Sequence, residues 1–323
     1  MSHDDGISRR DFVRTVLGSA ALVAAADCLK PLEALAADSP APKTMPRRPL
    51  GKTGFNVGLF SLGGQATLEE ETKRDAAVEI IHRALDLGVN YIDTAALYGR
   101  GASELAIGDV MRTRRKDAFL ASKTYDRSYD GSMRLLELSL KRLQTDHLDL
   151  WQVHNIQTDV DVDFVFSREG AVRAMEKARD QGIVRFLGIT GHRDPVVLRK
   201  AIERYPFDTI LMALNAADKH QASFIENLLP VAVEQNLGIL GMKIPSRGRI
   251  FHEAGIRSMD EAMRYVLSLP VSSVVIGIST MRELEENVRI ATGFAPLTRA
   301  EMNELERLTQ PYFADALWYR DHM

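Results

Sequence analysis

Four titratable side chains of four different kinds stand at or just behind three successive β-rich runs of this 323-residue chain. VNYIDTA carries Asp93 and leads to Tyr98, AFLASKT carries Lys123, and LDLWQVHN carries His154. A carboxylate, a phenol, an ammonium and an imidazole are the groups of proton transfer. A carboxylate holds a buried ammonium in its charged form, and a phenol with a free pKa of about 10 gives up its proton more readily beside a cation. Taken singly, each has an ordinary structural use: Asp93 as a loop cap, Tyr98 as a half-buried aromatic, Lys123 as a solvated tip, His154 as a satisfied core histidine. Four of them at consecutive run ends argue for one shared site. A metal suits them less well, because no H-x-H pair ends an early run and Asp93 beside Lys123 fits an ion pair better. The single cysteine, Cys28, excludes a disulfide or a thiolate-held metal or iron–sulfur site within the chain.

From Leu50 onward, short apolar runs alternate with helical patterns. VGLFSLGG precedes Ala77, Ile80, Ile81, Ala84 and Leu85, whose i, i+3, i+4, i+7, i+8 spacing predicts a helix that Gly88 stops. VNYIDTA, AFLASKT, LDLWQVHN, VRFLGITG, DTILMALN, LGILGMK and VSSVVIG are the further strands. Met133, Leu136, Leu140 and Leu143, and later Leu284, Val288 and Ala291, mark amphipathic helices between them. Strands apolar on both faces call for a parallel sheet, and eight βα units predict an α/β fold of the closed (β/α)8 TIM-barrel type in a single domain. An open doubly wound sheet would want G-x-G-x-x-G after its first strand, and SLGGQAT does not supply it. In a barrel the chemistry gathers at the C-terminal strand ends, where the four residues stand.

Hydrophobic residues at 45% and charged residues at 26% exclude disorder and a coiled coil, and a net charge of −3 gives no footprint for nucleic acid. Residues 1–36 read differently from the rest. SRRDFVRT, with Arg9, Arg10 and Phe12, resembles the S-R-R-x-F pattern of twin-arginine export signals. The apolar stretch Val16 to Ala26 is too short for the roughly 20 residues of a membrane span, so no stable membrane anchor is expected. Ala34-Leu35-Ala36 offers a small-x-small cleavage site with residue 37 as the mature start, and Asp27 before Cys28 argues against lipidation. A signal peptide over 1–36, a Pro-rich linker over 37–49 and a barrel with a C-terminal tail over 50–323 are therefore expected. The export machinery would be a partner and the periplasm the destination.

GVNYIDTAALYG (Gly88 to Gly99), ASK (Ala121 to Lys123) and QVH (Gln152 to His154) resemble the signature segments of the aldo-keto reductases. The resemblance runs from PLGKTGFNV at Pro49 to the ELEENVRIA segment ending at Ala291. It implies a barrel, a nicotinamide cofactor, NADP(H) or NAD(H), and reduction of a small aldehyde or ketone. By that resemblance Tyr98 is the general acid, Lys123 the cation beside it, Asp93 the anion that keeps Lys123 charged, and His154 the group that orients the substrate oxygen. A cofactor-binding sensor or regulatory subunit on the same barrel is the alternative. A monomer or small homo-oligomer is expected.

The cofactor segments match less uniformly. VVIGISTMRELEEN resembles the family's last strand, phosphate loop and helix start, with Gly277, Ser279, Glu286 and Asn287 in place. Glu283 stands where NADP-dependent relatives often carry a basic residue or glutamine, and an acid there should repel a 2′-phosphate. Thr280 and Glu283 also fit a T-x-x-E capping box, as do Ser258 with Glu261 and Thr298 with Glu301. Arg282 remains available to a phosphate, and the preference leans to NADP. Around the nicotinamide, Thr190 and Gly191 replace the commoner Ser-Asn, Leu211 replaces a glutamine, and Asn215 is retained. In GILGMKIPSRG, which ends at Gly248, Met242 and Lys243 replace tyrosine and serine. Such a Met-Lys segment resembles a branch that carries an iron–sulfur domain, but no cysteine follows Cys28, so no cluster is expected. Phe164, Phe166, Trp318 and Tyr319 could give the substrate pocket apolar walls.

Overall fold

In a computed structural model that describes residues 44–323, eight parallel strands close into a barrel. Two short strands come first, β1 (Arg47–Pro49) and β2 (Asn56–Gly58), paired antiparallel. The barrel strands follow in chain order: β3 (Phe60–Ala66), β4 (Tyr91–Asp93), β5 (Phe119–Thr124), β6 (Leu148–Val153), β7 (Val184–Gly191), β8 (Thr209–Ala213), β9 (Gly238–Met242) and β10 (Ser273–Ile278). Each pairs with its neighbour in sequence, and β10 returns to β3. Every apolar run named above lies on one of these strands, as burial on both faces requires. The export signal and most of the linker lie outside the described residues.

The helices form where apolar spacing lets one face turn to the strands. Arg74–Asp86 buries Ala77, Ile80, Ile81, Ala84 and Leu85. Met281–Thr292 buries Leu284, Val288 and Ala291. Tyr129–Leu143 starts on Ser128, whose hydroxyl accepts from the Gly131 N–H at 3.1 Å, a cap worth about 1 kcal/mol.

The expected linker is corrected at its end, because packing begins before Leu50. Met45 is 8% exposed within the main core, and Arg48 donates to the carbonyls of Val271 at 2.7 Å and Leu267 at 2.9 Å. The β1–β2 hairpin closes the floor of the barrel. Leu50, Phe55 and Val57 pack against the inward-facing Tyr91, Phe119, Ala121 and Leu150. Phe55 and Tyr91 lie 4.6 Å and 5.5 Å, ring centre to ring centre, from Phe119.

At the other end the strand register sets the functional residues side by side. Asp93 on β4 is paired with Ala121 on β5, and Lys123 on β5 with Gln152 on β6. Gly188 on β7 leaves the space that Gln152 fills: a Cβ there would come within 3.0 Å of the Gln152 Cγ and 2.4 Å of the Thr209 hydroxyl. The tail after helix Arg299–Thr309 runs back to this end. Arg320 anchors it, donating to Asp218 at 2.6 Å with both side chains buried. No helix among the described residues is long and apolar enough to cross a membrane.

Candidate active site

Lys123 is 1% exposed at the end of β5, and its ammonium has three acceptors for its three N–H bonds. They are the Asp93 carboxylate, the Thr94 carbonyl at 2.8 Å and the Tyr98 hydroxyl at 3.3 Å. The second oxygen of Asp93 accepts from the Gln152 amide at 3.0 Å. Burial alone would push the lysine down, but Asp93 and Tyr98 more than offset it, and its pKa stands above the ordinary lysine value. Lys123 is therefore held charged in a dry place.

Tyr98 hangs from the turn after β4, which only a glycine at position 99 permits. Gly99 has φ 55°, and a Cβ on it would sit 1.9 Å from the Glu69 carbonyl oxygen. The Lys123 ammonium lies 4.7 Å from the centre of the Tyr98 ring. Lys123 acts on the phenol in the expected direction, lowering its pKa, but burial raises it by more and Asp93 adds to the rise, so the net lies above the ordinary value. The desolvated phenolate is disfavoured more than a lysine already balanced by Asp93 can repair. The phenol is therefore neutral and keeps the proton that an acid must give. His154, at the end of β6, stands edge-on to Tyr98 with ring centres 5.5 Å apart. Burial first, then the charges of Lys123 and Arg127, hold its pKa well below the ordinary value, so the imidazole is neutral.

A cleft of about 600 Å³ opens beside this group. Asp93, Tyr98, Leu211, Met242, Lys243, Gly248, Gly277, Ser279, Glu283 and Asn287 all line it. Four other expected cofactor residues do not. The Thr190 hydroxyl accepts from the Asn155 N–H at 2.8 Å inside the protein. Asn215 is buried, accepts from the Ala217 N–H at 2.9 Å and donates to the Lys243 carbonyl and the Tyr319 hydroxyl, each at 3.3 Å. Thr280 caps helix Met281–Thr292, and Glu286 is exposed on that helix. The loop aromatics turn elsewhere too: Phe166 packs on Tyr205 and Phe207, Trp318 stacks on His322, Tyr319 is buried, and Phe164 is exposed.

The cleft suits a nucleotide cofactor. The Asn287 amide nitrogen is buried, lines the cleft, and has no hydrogen-bond partner among the described residues, so a donor stands ready for an acceptor on a ligand. Glu283 departs from the expected capping box. Ser258 with Glu261 and Thr298 with Glu301 make the full reciprocal box, whereas the Glu283 carboxylate accepts from the Ser279 N–H at 2.7 Å. The carboxylate thus takes one of the amides a phosphate would use. Gln152 is the residue the sequence reading passed over, although its place two before His154 puts both on one face of β6.

A parallel barrel that gathers a neutral phenol, a buried Lys–Asp pair and a neutral imidazole beside a nucleotide-sized cleft has the layout of a carbonyl-reducing barrel enzyme. The chain belongs to the Aldo/keto reductase family, whose model matches residues 56–251. It is similar to the uncharacterized oxidoreductase YqkF of Bacillus subtilis, 27% identical over 82% of this chain and 97% of that protein. It is also similar to the L-galactose dehydrogenase of Arabidopsis thaliana, 26% identical over 82% of this chain and 94% of that one. Among solved structures, the holo form of an aldo-keto reductase from Bacillus halodurans matches with a TM-score of 0.68 and 25% identity, over 82% of this chain and 96% of that one. The protein is an NAD(P)H-dependent oxidoreductase of carbonyl compounds.

Proposed function

We propose that the enzyme reduces an aldehyde or ketone with Tyr98 as its general acid. The observation that carries this is the Tyr98 hydroxyl 3.3 Å from a Lys123 ammonium that Asp93 keeps charged in a buried site. NAD(P)H, when bound, supplies a hydride to the carbonyl carbon. Tyr98 hydrogen-bonds the carbonyl oxygen and passes its proton to the alkoxide as the charge develops there. The N–H of Lys123 that points to the phenolic oxygen stabilises the resulting phenolate, and it is aimed beforehand because Asp93, Thr94 and Gln152 fix the rest of the network. His154, being neutral, can donate one ring N–H to the same carbonyl oxygen without competing for the proton. Gly277, Ser279, Glu283, Asn287 and Met242 are the residues that would hold the cofactor along the cleft. Tyr98→Phe keeps the ring and loses the proton, so turnover should fall by about 10²-fold or more while NADPH binding is retained. A variant that reduces a good substrate at wild-type rate would remove Tyr98 from the role.

Residues 1–36 are proposed as a twin-arginine export signal, which would take the folded protein to the periplasm. The pairing of Arg9 and Arg10 with Phe12 and the Ala34-Leu35-Ala36 site supports that reading. Replacing both arginines by lysine should leave the precursor in the cytoplasm, and unchanged export would discard the signal.

A further inference from the structure

Among the described residues Lys243 is a cation without an ion-pair partner. Lys123 and Arg320 at this end of the barrel each have a carboxylate partner, Asp93 and Asp218. Among the described residues the Lys243 ammonium has none, and its hydrogen-bond neighbour is the Met323 sulfur at 3.3 Å, a weak acceptor. The Tyr319 ring centre lies 6.0 Å away. Carrying an unpaired ammonium into a half-buried site is unfavourable unless an anion joins it.

The direction of the side chain indicates which anion. Lys243 follows β9, next to β10 and its phosphate loop. Its amine nevertheless turns to the side chain of Met323, whose terminal carboxylate accepts from Gln157 beyond β6 at 3.1 Å. In the closed order β10-β3-β4-β5-β6-β7-β8-β9, β6 is four strands from β10 either way, the diametrically opposite side. The charge of Lys243 also acts on His192 after β7, second only to burial, and on His154 after β6, behind burial, Lys123, Arg127 and His192, in each case favouring the neutral ring. Lys243 thus lines the same cleft as Tyr98, and its amine leans towards the β6 side of it.

We propose that Lys243 is a specificity-determining residue that receives a carboxylate carried by the carbonyl substrate, so that the enzyme favours oxo acids over neutral carbonyl compounds. The proposal rests on the reductase reading of the same site. The charged and titratable groups around Lys243 are these: Arg247 and Lys123 add positive charge, His154 and His192 are neutral, and Glu69 and the terminal carboxylate of Met323 are acids near it that form no ion pair with it. Burial, Arg247 and Lys123 bring the Lys243 pKa down to about 8, which an arriving carboxylate would reverse.

The test compares 4-carboxybenzaldehyde with its methyl ester, a pair differing in the charge, using the full chain and NADPH. Wild-type kcat/KM should favour the acid, and Lys243→Met should lower the acid-to-ester ratio at least 10-fold, mainly through KM, with Lys243→Arg retaining the preference. No acid preference in the wild type, or an equal loss for both substrates with a raised KM for NADPH, would overturn the proposal, the second outcome marking a cofactor phosphate as the anion. If the wild type reduces neither aldehyde, the failure lies with turnover of these aldehydes and not with Lys243. Calorimetric titration of the NADP+-loaded protein with terephthalate then decides the role of Lys243. Binding weakened at least 10-fold in Lys243→Met upholds it, and equal or absent binding in both proteins rejects it.

Discussion

Lys123→Met separates the two consequences of the buried ion pair, one for rate and one for stability. Methionine keeps a long unbranched side chain but removes the charge. Asp93, 2% exposed, would then keep the Gln152 amide at 3.0 Å and lose its cation. Breaking one side of a buried pair costs about 3–5 kcal/mol, because the remaining charge is left uncompensated. At about 2–4 °C per kcal/mol for a domain of this size, the midpoint should fall by roughly 10 °C. Tyr98→Phe removes one of three acceptors from Lys123 and should cost only about 0.5–1.5 kcal/mol, within a few degrees of wild type. Turnover should drop by about 10²-fold or more in both. Asp93→Asn combined with Lys123→Met removes both charges and should recover most of the lost midpoint without recovering rate. Scanning calorimetry and NADPH oxidation read the two effects. A Lys123→Met protein that melts within two or so degrees of wild type would refute the claim that the pair is buried and mutually dependent.

Three further outcomes are expected. Glu283→Gln removes the charge beside the Ser279 amide, and steady-state kinetics should show the KM for NADPH falling relative to that for NADH; an unchanged ratio would leave Glu283 only its bond to Ser279. Lys243→Met should stabilise the protein at pH 7. A pKa brought from 10.5 down to about 8 corresponds to a penalty of at most about 3 kcal/mol. That penalty is fully present below pH 8, where the lysine is charged folded and unfolded, and is relieved between about 8 and 10.5, where only the unfolded chain still holds the proton. The gain in melting temperature should therefore vanish by about pH 10.5, and a gain independent of pH would contradict the account. Gly99→Ala meets the Glu69 carbonyl and requires φ 55°, so it should lower the melting temperature and the turnover together; an alanine variant with wild-type rate would show that the turn does not position Tyr98.

The barrel was legible because a strand buried on both faces is written as one unbroken apolar run, and eight such runs have few other uses. Asp93, Lys123 and His154 were legible because they stand at the C-terminal ends of those runs, and Tyr98 because it follows Asp93 by five residues in the turn after β4. Gln152 was within reach of the same reasoning, since alternation along β6 joins it to His154. Other assignments depended on distant partners. Asn215 is turned from the cleft by Tyr319, 104 residues away, and Arg48 makes part of the supposed linker structural through carbonyls more than 200 residues further on. The T-x-x-E spacing at Thr280 correctly marks a helix start, but spacing does not fix where a flexible glutamate bends, and Glu283 reaches Ser279 instead.

The floor made by Leu50, Phe55, Val57, Tyr91 and Phe119 also bears on how protons are replenished. Beneath Lys123 the buried Tyr91 hydroxyl stands close enough to act on Asp93, but Leu50, Phe55, Val57 and Phe119, which pack around that ring, offer no side-chain donor or acceptor, so this layer does not carry the network on to the outside from below. The proton that restores Tyr98 after each turnover must therefore enter by the same mouth that admits substrate and releases alcohol. Recharging the acid and clearing the product share one doorway, and an alcohol that lingers there delays both.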